Sequence, residues 1–173
     1  QSTAGSKYPT YSYDGIGDIP AVQFDGSNQS FSFNCSFLNN SDYTIIINEQ
    51  RESDNDNQYF IQDDNNNLFL GYSTDTSIIH SQSGSDDKPS TPADDSDSYS
   101  APVSAHSGKT QKNIIFISSS TGKKVYINGL EAAKSDNVSK ISGLSTCYIG
   151  KGYNGKISEI VIYDRALPIG DVN

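Results

Sequence analysis

The chain has 173 residues, 34% of them apolar, and carries 12 Lys and Arg against 21 Asp and Glu for a formal net charge of −9. A surface of that sign repels phosphate backbones and anionic headgroups, which sets nucleic acid aside as a partner. No run approaches the ~20 apolar residues of a spanning helix, so membrane insertion is not expected either, and the length suits one domain.

In chain order, residues 1–20 are rich in Gly, Ser and Tyr with Pro9 and Pro20, and read as a lead-in or edge segment. From residue 21 to 173 the apolar residues fall into strand-sized runs. Phe31 and Phe33 alternate with Ser30 and Ser32, which predicts a half-buried strand with the rings inward. Thr44-Ile-Ile-Ile-Asn48 is a nearly continuous apolar run and predicts a strand covered on both faces. Tyr59–Gln62 and Leu68–Tyr72 flank Asp63-Asp-Asn-Asn-Asn67, the pattern of a hairpin with an extended polar turn, and Ser77–His80 is a short strand. Residues 81–112 are Ser, Asp, Pro and Lys with few large apolar groups, a long polar loop by composition. Strands resume at Asn113–Ser118 and Lys123–Ile127. Asn128-Gly129 is a type I′ hairpin signal, because that turn needs positive φ at both central positions. A strand ends at Gly150, another runs from about Lys156 to Tyr163, and Leu167-Pro168 opens a short helix. Many short strands separated by turn signals specify an all-β fold, an antiparallel jelly-roll β-sandwich.

Three motifs recur in order: Ala21-Val-Gln-Phe-Asp-Gly26, Val125-Tyr-Ile-Asn-Gly-Leu130, and Tyr148-Ile-Gly followed by Gly155-Lys-Ile and Tyr163-Asp-Arg-Ala-Leu167. Together they resemble the laminin-G-like branch of the concanavalin-A-like lectin and glucanase superfamily. The resemblance implies a jelly-roll sandwich over roughly residues 21–168. The chain departs from the pattern in having no Trp, so core volume must come from Phe, Tyr and Ile.

Glucanase relatives carry two acids at alternate positions of one strand, facing a groove, and a retaining pair must sit ~5 Å apart. Here the Glu residues are Glu49, Glu52, Glu131 and Glu159. Glu49-Gln-Arg-Glu52 has a three-residue offset that sends its acids to opposite faces, so both read as solvated loop carboxylates. His80 and His106 are isolated and read as surface residues. Enzyme activity is not expected.

Ser53-Asp-Asn-Asp-Asn57 offers oxygen ligands at alternate positions, the type calcium takes. The resemblance implies a rim Ca²⁺ held by Asp54 or Asp56 with Asp136 or Asn137 from the loop before the Tyr-Ile-Gly strand. It also allows a structural Ca²⁺ joining Asp25 to Glu159; the alternative for each acid is an ordinary Asx-rich turn. Ligand recognition is expected from Asp54, Asp56, Asn57, Asn137 and Asn154, with Tyr59 and Tyr153 as exposed rings. Cys35 and Cys147 either pair or are two small buried hydrophobes. Asn28, Asn34, Asn39 and Asn137 begin glycosylation sequons.

The expected function is a non-catalytic binding module of a larger extracellular or virion-surface protein, such as an adhesin or attachment fibre. Its partner would be a glycan or cell-surface protein, with calcium as a possible cofactor. The alternative is a structural spacer without a ligand, and behind it a glycoside hydrolase with displaced acids. Residues 81–107 are expected to cross one rim beside the Asp54–Asn57 turn and to shape the ligand site.

Overall fold

The computed structural model describes residues 8–65, 67–74, 77–81, 98–102 and 110–172. Among these, the strands are β1 (Thr10–Ile16), β2 (Ile19–Asp25), β3 (Phe31–Asn34), β4 (Tyr43–Arg51), β5 (Gln58–Asp63), β6 (Phe69–Thr74) and β7 (Ser77–Ser81). They continue with β8 (Ser98–Pro102), β9 (Lys112–Ser119), β10 (Gly122–Ile127), β11 (Leu130–Ser135), β12 (Thr146–Ile149) and β13 (Asn154–Tyr163). They form two antiparallel sheets, a seven-stranded one ordered β1-β2-β13-β4-β9-β10-β11 and a six-stranded one ordered β3-β12-β5-β6-β7-β8. The expected antiparallel β-sandwich is what the chain forms.

Strand β4 shows how the sequence sets the layers. Tyr43, Ile45, Ile47, Glu49 and Arg51 alternate with Asn48 and Gln50, and every member of the first set is buried. The two-residue period of a strand sends that set between the sheets. On the opposite face Ile46, with Ile115, Ile117 and Tyr126, is covered by Ala166, Ile169 and Val172 of the carboxy-terminal segment. The Thr44 hydroxyl donates to the Arg165 carbonyl at 3.0 Å and accepts the Leu167 amide at 2.8 Å. Half of β4 is therefore covered on both sides, and its other half keeps polar residues toward solvent.

Without Trp, the core is filled by rings meeting edge to face. Phe24 lies 6.3 Å from Tyr153, Tyr153 lies 5.2 Å from Phe60, and Phe60 lies 5.5 Å from Tyr72. Each such ring stabilises by about 1.5–3 kcal/mol through burial alone. Gly150 makes this packing possible: at φ +79° a Cβ there would fall 2.1 Å from the Phe24 ring. Asn128 and Gly129 have φ 51° and 80°, as the type I′ turn requires. The β5–β6 hairpin turns on Asp63, whose Oδ1 accepts the Asn67 and Leu68 amides at 2.8 and 2.9 Å.

Cys35 and Cys147 are joined in a disulfide, with their Cα atoms 5.8 Å apart. Residues 10–16 form the edge strand of the larger sheet, and the polar segment after β7 contains β8, which pairs His80 with Tyr99 and Ile79 with Ser100. The acidic runs at 86–89 and 94–97, together with Val103 and His106, lie outside the described residues. So does the expected passage of residues 82–97 and 103–107 across a rim.

His80 is not a surface residue. It points between the sheets on β7, fully buried, with Nε2 2.6 Å from the Tyr43 hydroxyl and its ring 5.7 Å from Phe116. Burial, with the Lys123 charge behind it, pushes its pKa well below the usual histidine value. A depressed histidine leaves the unfolded chain binding the extra proton, so stability falls as pH drops below ~6.5, by at most roughly 1.4 kcal/mol per unit. Denaturant midpoints at pH 7, 6 and 5 should fall more steeply for the wild type than for His80→Gln. Parallel profiles would show that His80 is protonated at no stability penalty.

Candidate functional site

One end of the sandwich gathers the loops that follow β2, β4 and β12, because β2 and β4 end there and β13 begins there. Backbone bonds fasten these loops to one another. The Gly26 amide donates to the Tyr153 carbonyl, Gly152 to Ser27 and Glu52 to Asn154, each at 2.9 Å. The buried Gln58 side chain ties the rest: its Nε2 donates to the Ser53 and Asn55 carbonyls at 3.0 and 2.7 Å, and its Oε1 accepts the Asn154 amide at 2.9 Å. Asn57, in the left-handed region at φ 57°, anchors its amide on the Ser73 carbonyl.

This end brings together Asp25, Asp54, Asp56, Asn57 and Asn154, all on the same group of loops. Asp25 closes its own turn, accepting the Ser27 amide at 3.0 Å and the Ser27 hydroxyl. Beside the loops, on the outer face of the larger sheet, a cavity of about 270 Å³ is lined by Gln50, Arg51, Glu52 and Lys156. Glu52 there accepts Gln23 Nε2 at 2.7 Å and lies 3.9 Å from Lys156 Nζ. An amide ladder continues across the face: Asn113 donates to Asn48 at 2.8 Å, and Asn48 donates to Glu159 at 2.8 Å. The face thus presents closely spaced donors and acceptors of both kinds, suited to ligands rich in hydroxyl groups.

Behind the loops lies a buried set of charges. Glu49 accepts the Tyr72 hydroxyl at 2.6 Å and the Tyr153 hydroxyl at 2.5 Å, with Lys112 Nζ 3.8 Å away. The Arg51 guanidinium stacks 3.8 Å above the Tyr72 ring and reaches Asp54 at 3.4 Å. Burial raises the Glu49 pKa, opposed by Lys112 and the two tyrosines, while burial lowers Lys112, opposed by Glu49. The cluster grips strands of both sheets and the loops bearing Asp54 and Tyr153.

Several expectations change here. Glu49 is not a solvated loop acid but a buried one; Glu52 is exposed on the other face, as the three-residue offset implies. Tyr153 and Tyr59 are not exposed rings: Tyr153 is sealed against Glu49, and Tyr59 is buried with its hydroxyl on Asn57 Oδ1 at 2.8 Å. Asn137 sits at the opposite end, because β11 carries the chain across the sandwich before it. Its loop packs on the β3–β4 connection, where Asn40 donates to the Ile141 carbonyl and Lys140 pairs with Asp42. Asn137 and Asp136 therefore cannot share an ion with Asp54 or Asp56. Asp25 pairs across from Asn154, and Glu159 lies five positions along β13, so roughly 15 Å separates them at ~3.3 Å per residue. Among the described residues no three His, Cys, Asp or Glu groups converge to hold a metal. Neither pairing that the resemblance implies, Asp54 or Asp56 with Asp136 or Asn137, and Asp25 with Glu159, is brought together in the structure.

What sequence reading missed, Glu49 and Arg51, carried a signal. They continue the inward phase set by Tyr43, Ile45 and Ile47.

Residues 25–173 match the laminin-G family model described as the concanavalin A-like lectin/glucanases superfamily. No curated protein matches the sequence. Among solved structures, the chain is similar to domain 4 of AbnA, a GH43 extracellular arabinanase from Geobacillus stearothermophilus in complex with arabinotriose. That match has a TM-score of 0.61 and 18% identity, over 99% of this chain and 82% of the other. It is also similar to the CBM40 of the Ruminococcus gnavus IT-sialidase bound to α2,3-sialyllactose, with a TM-score of 0.63 and 12% identity over 96% and 97% of the two chains. Trypanosoma rangeli sialidase in complex with the inhibitor DANA matches with a TM-score of 0.62 and 15% identity over 88% of this chain, which spans only 26% of that enzyme. With the family model spanning nearly the whole sandwich, the chain belongs to the concanavalin A-like lectin/glucanases superfamily.

Proposed function

We propose that this domain is a non-catalytic glycan-binding module of a larger secreted or surface-exposed protein. The observation that carries the reading is the loop end with its polar cavity. Asp54, Asp56, Asn57 and Asn154 lie on loops cross-braced by Gln58, and Gln50, Glu52 and Lys156 line the cavity at the same end of the larger sheet. Such an array binds hydroxyl groups in several directions at once, and its bracing limits the ordering entropy lost on binding. The kinship in fold with a module bound to sialyllactose and a domain bound to arabinotriose supports the same reading. The disulfide fits an oxidising compartment.

The reading as non-catalytic rests on the acids. Glu49 is sealed between the sheets, Glu52 lies in the loop after β4, and Glu159 stands opposite Asn48 on β13. Calcium has no part in this proposal.

A glycan array followed by titration calorimetry tests it. Wild-type protein should bind at least one glycan class, and Lys156→Ala together with Asp54→Ala should weaken that binding at least tenfold. Absence of binding across the array, or turnover of a bound glycan, would overturn it.

A further inference from the structure

The two sheets are unequal on one flank. Strand β3 is the last of the six-stranded sheet and faces β2, with Phe24 and Phe31 in ring contact at 6.1 Å. The larger sheet continues one strand further, to β1. Tyr11 pairs opposite Val22, whose side chain points inward, so Tyr11 projects to the inner side as well. There no strand of the smaller sheet stands below it among the described residues. The result is an apolar shelf open to solvent: Tyr11 is 56% exposed, Tyr13 79% and Phe31 45%, with the two tyrosines in edge-to-face contact at 4.9 Å. Beneath it a slot of about 180 Å³ runs between the sheets, walled by Val22, Phe24, Phe31, Ile149, Ile157 and Ile160. The opposite flank is different, since β11 and β8 close upon each other.

We infer that this flank binds a single extended, basic peptide segment, which adds as a seventh strand to the edge of β3 that pairs with no strand among the described residues, and lies under the β1 overhang. Strand addition supplies main-chain hydrogen bonds from the edge, while a pocket selects alternate side chains. Here the inward side chains would meet Tyr11, Tyr13 and the slot, whose volume admits one aliphatic or aromatic group. The overhang decides against a second copy of the domain. Pairing β3 with another β3 would bring the second copy's β2 into the space that β1 occupies. Charge decides the sign of the partner. Residues 8–38, which hold β1, β2 and β3, contain Asp14, Asp18 and Asp25 and no Lys or Arg; Lys156 reaches the Gly15 carbonyl of β1, with Glu52 3.9 Å from its ammonium. An acidic strand would be repelled there, and a lysine-bearing one attracted. The site is distinct from the loop-end cavity, and the inference stands or falls apart from the glycan reading.

The test uses the full chain and the synthetic peptide Lys-Ile-Lys-Leu-Thr-Ile-Lys-Val-Lys, with a counterpart in which Glu replaces each Lys. Hydrogen exchange should show new protection at Phe31–Asn34 on adding the lysine peptide and none with the glutamate peptide. In calorimetry, Phe31→Lys and, separately, Tyr11→Lys should weaken the lysine peptide at least tenfold, while Asp54→Ala leaves it within twofold. Tyr11→Lys alters a side chain already in solvent, so it keeps the test valid if Phe31→Lys fails to fold. Equal binding of both peptides, protection elsewhere than β3, or an unchanged affinity in Tyr11→Lys would overturn the inference. So would a concentration-dependent dimer abolished by Tyr11→Lys, because the flank would then serve a second copy.

Discussion

Replacing Glu49 with leucine is expected to destabilise the domain by about 3–5 kcal/mol, a large share of the 5–15 kcal/mol available to a domain. The substitution removes the acceptor of the Tyr72 and Tyr153 hydroxyls and the counter-charge 3.8 Å from Lys112. Two hydroxyls and an ammonium group would then be buried with weaker compensation. The loss arises from what is stranded rather than from any large net worth of the ion pair. Removing the second charge should therefore restore stability: the double variant Glu49→Leu with Lys112→Met should recover more than about 1 kcal/mol of it. Urea unfolding of the four proteins of this cycle provides the measurement. Additive losses would mean that the two charges act separately. A single-variant loss under about 1 kcal/mol would mean that solvent reaches Glu49. Because Arg51 and Tyr153 connect this cluster to the loops bearing Asp54 and Asn154, the same variant should also loosen the loop end that carries the proposed site.

The strands that could be read from sequence are those whose burial demands a run of apolar, β-branched residues. Thr44–Asn48, Asn113–Ser118 and Lys156–Tyr163 announce themselves through β-branched runs, and Asn128-Gly129 fixes a turn through backbone sterics. Strands β1 and β8 do not. Thr-Tyr-Ser-Tyr-Asp-Gly at an overhanging edge has no buried face to impose a pattern, and Ser-Tyr-Ser-Ala-Pro offers almost no apolar residue. At the site, Asp54, Asp56, Asn57 and Asn154 were legible as Asx-rich loops. Their company was not, because which end a loop occupies depends on how many strands precede it. The short β11 after the Asn128-Gly129 hairpin is what moves Asn137 to the far end. Ring exposure failed for a related reason. The irregularity between Tyr59 and Ile61 breaks strict alternation in β5, so Tyr59 cannot be assigned a face by counting. The most exposed rings, Tyr8, Tyr11 and Tyr13, lie instead in and just before β1, in the stretch that composition marks as a lead-in.

Loss of the Cys35–Cys147 bond is expected to lower stability by about 2–5 kcal/mol, the upper end set by the loop it closes. The two cysteines are 112 residues apart, and closing a loop of that size removes on the order of 5 kcal/mol of unfolded-chain entropy. The bond also has a structural address. It fastens β3, a four-residue edge strand held otherwise by its ladder to β12, whose register places Phe33 opposite Cys147. The double variant Cys35→Ala with Cys147→Ala should melt about 4–20 °C lower at the 2–4 °C per kcal/mol typical of this chain length. Part of that shift would reflect two small cavities, so a second measurement isolates the cross-link: unfolding of the wild-type chain in guanidinium with and without reductant. The unreduced chain, denatured and assayed for thiols, should show none. Two free thiols per chain would refute the bond, and coincident unfolding curves would refute its contribution. The loss should also fall unevenly, with exchange of the Phe31–Asn34 amides accelerating before that of β4 or β9. Edge strands open locally more readily than central ones, and the disulfide is the covalent tie that holds this one.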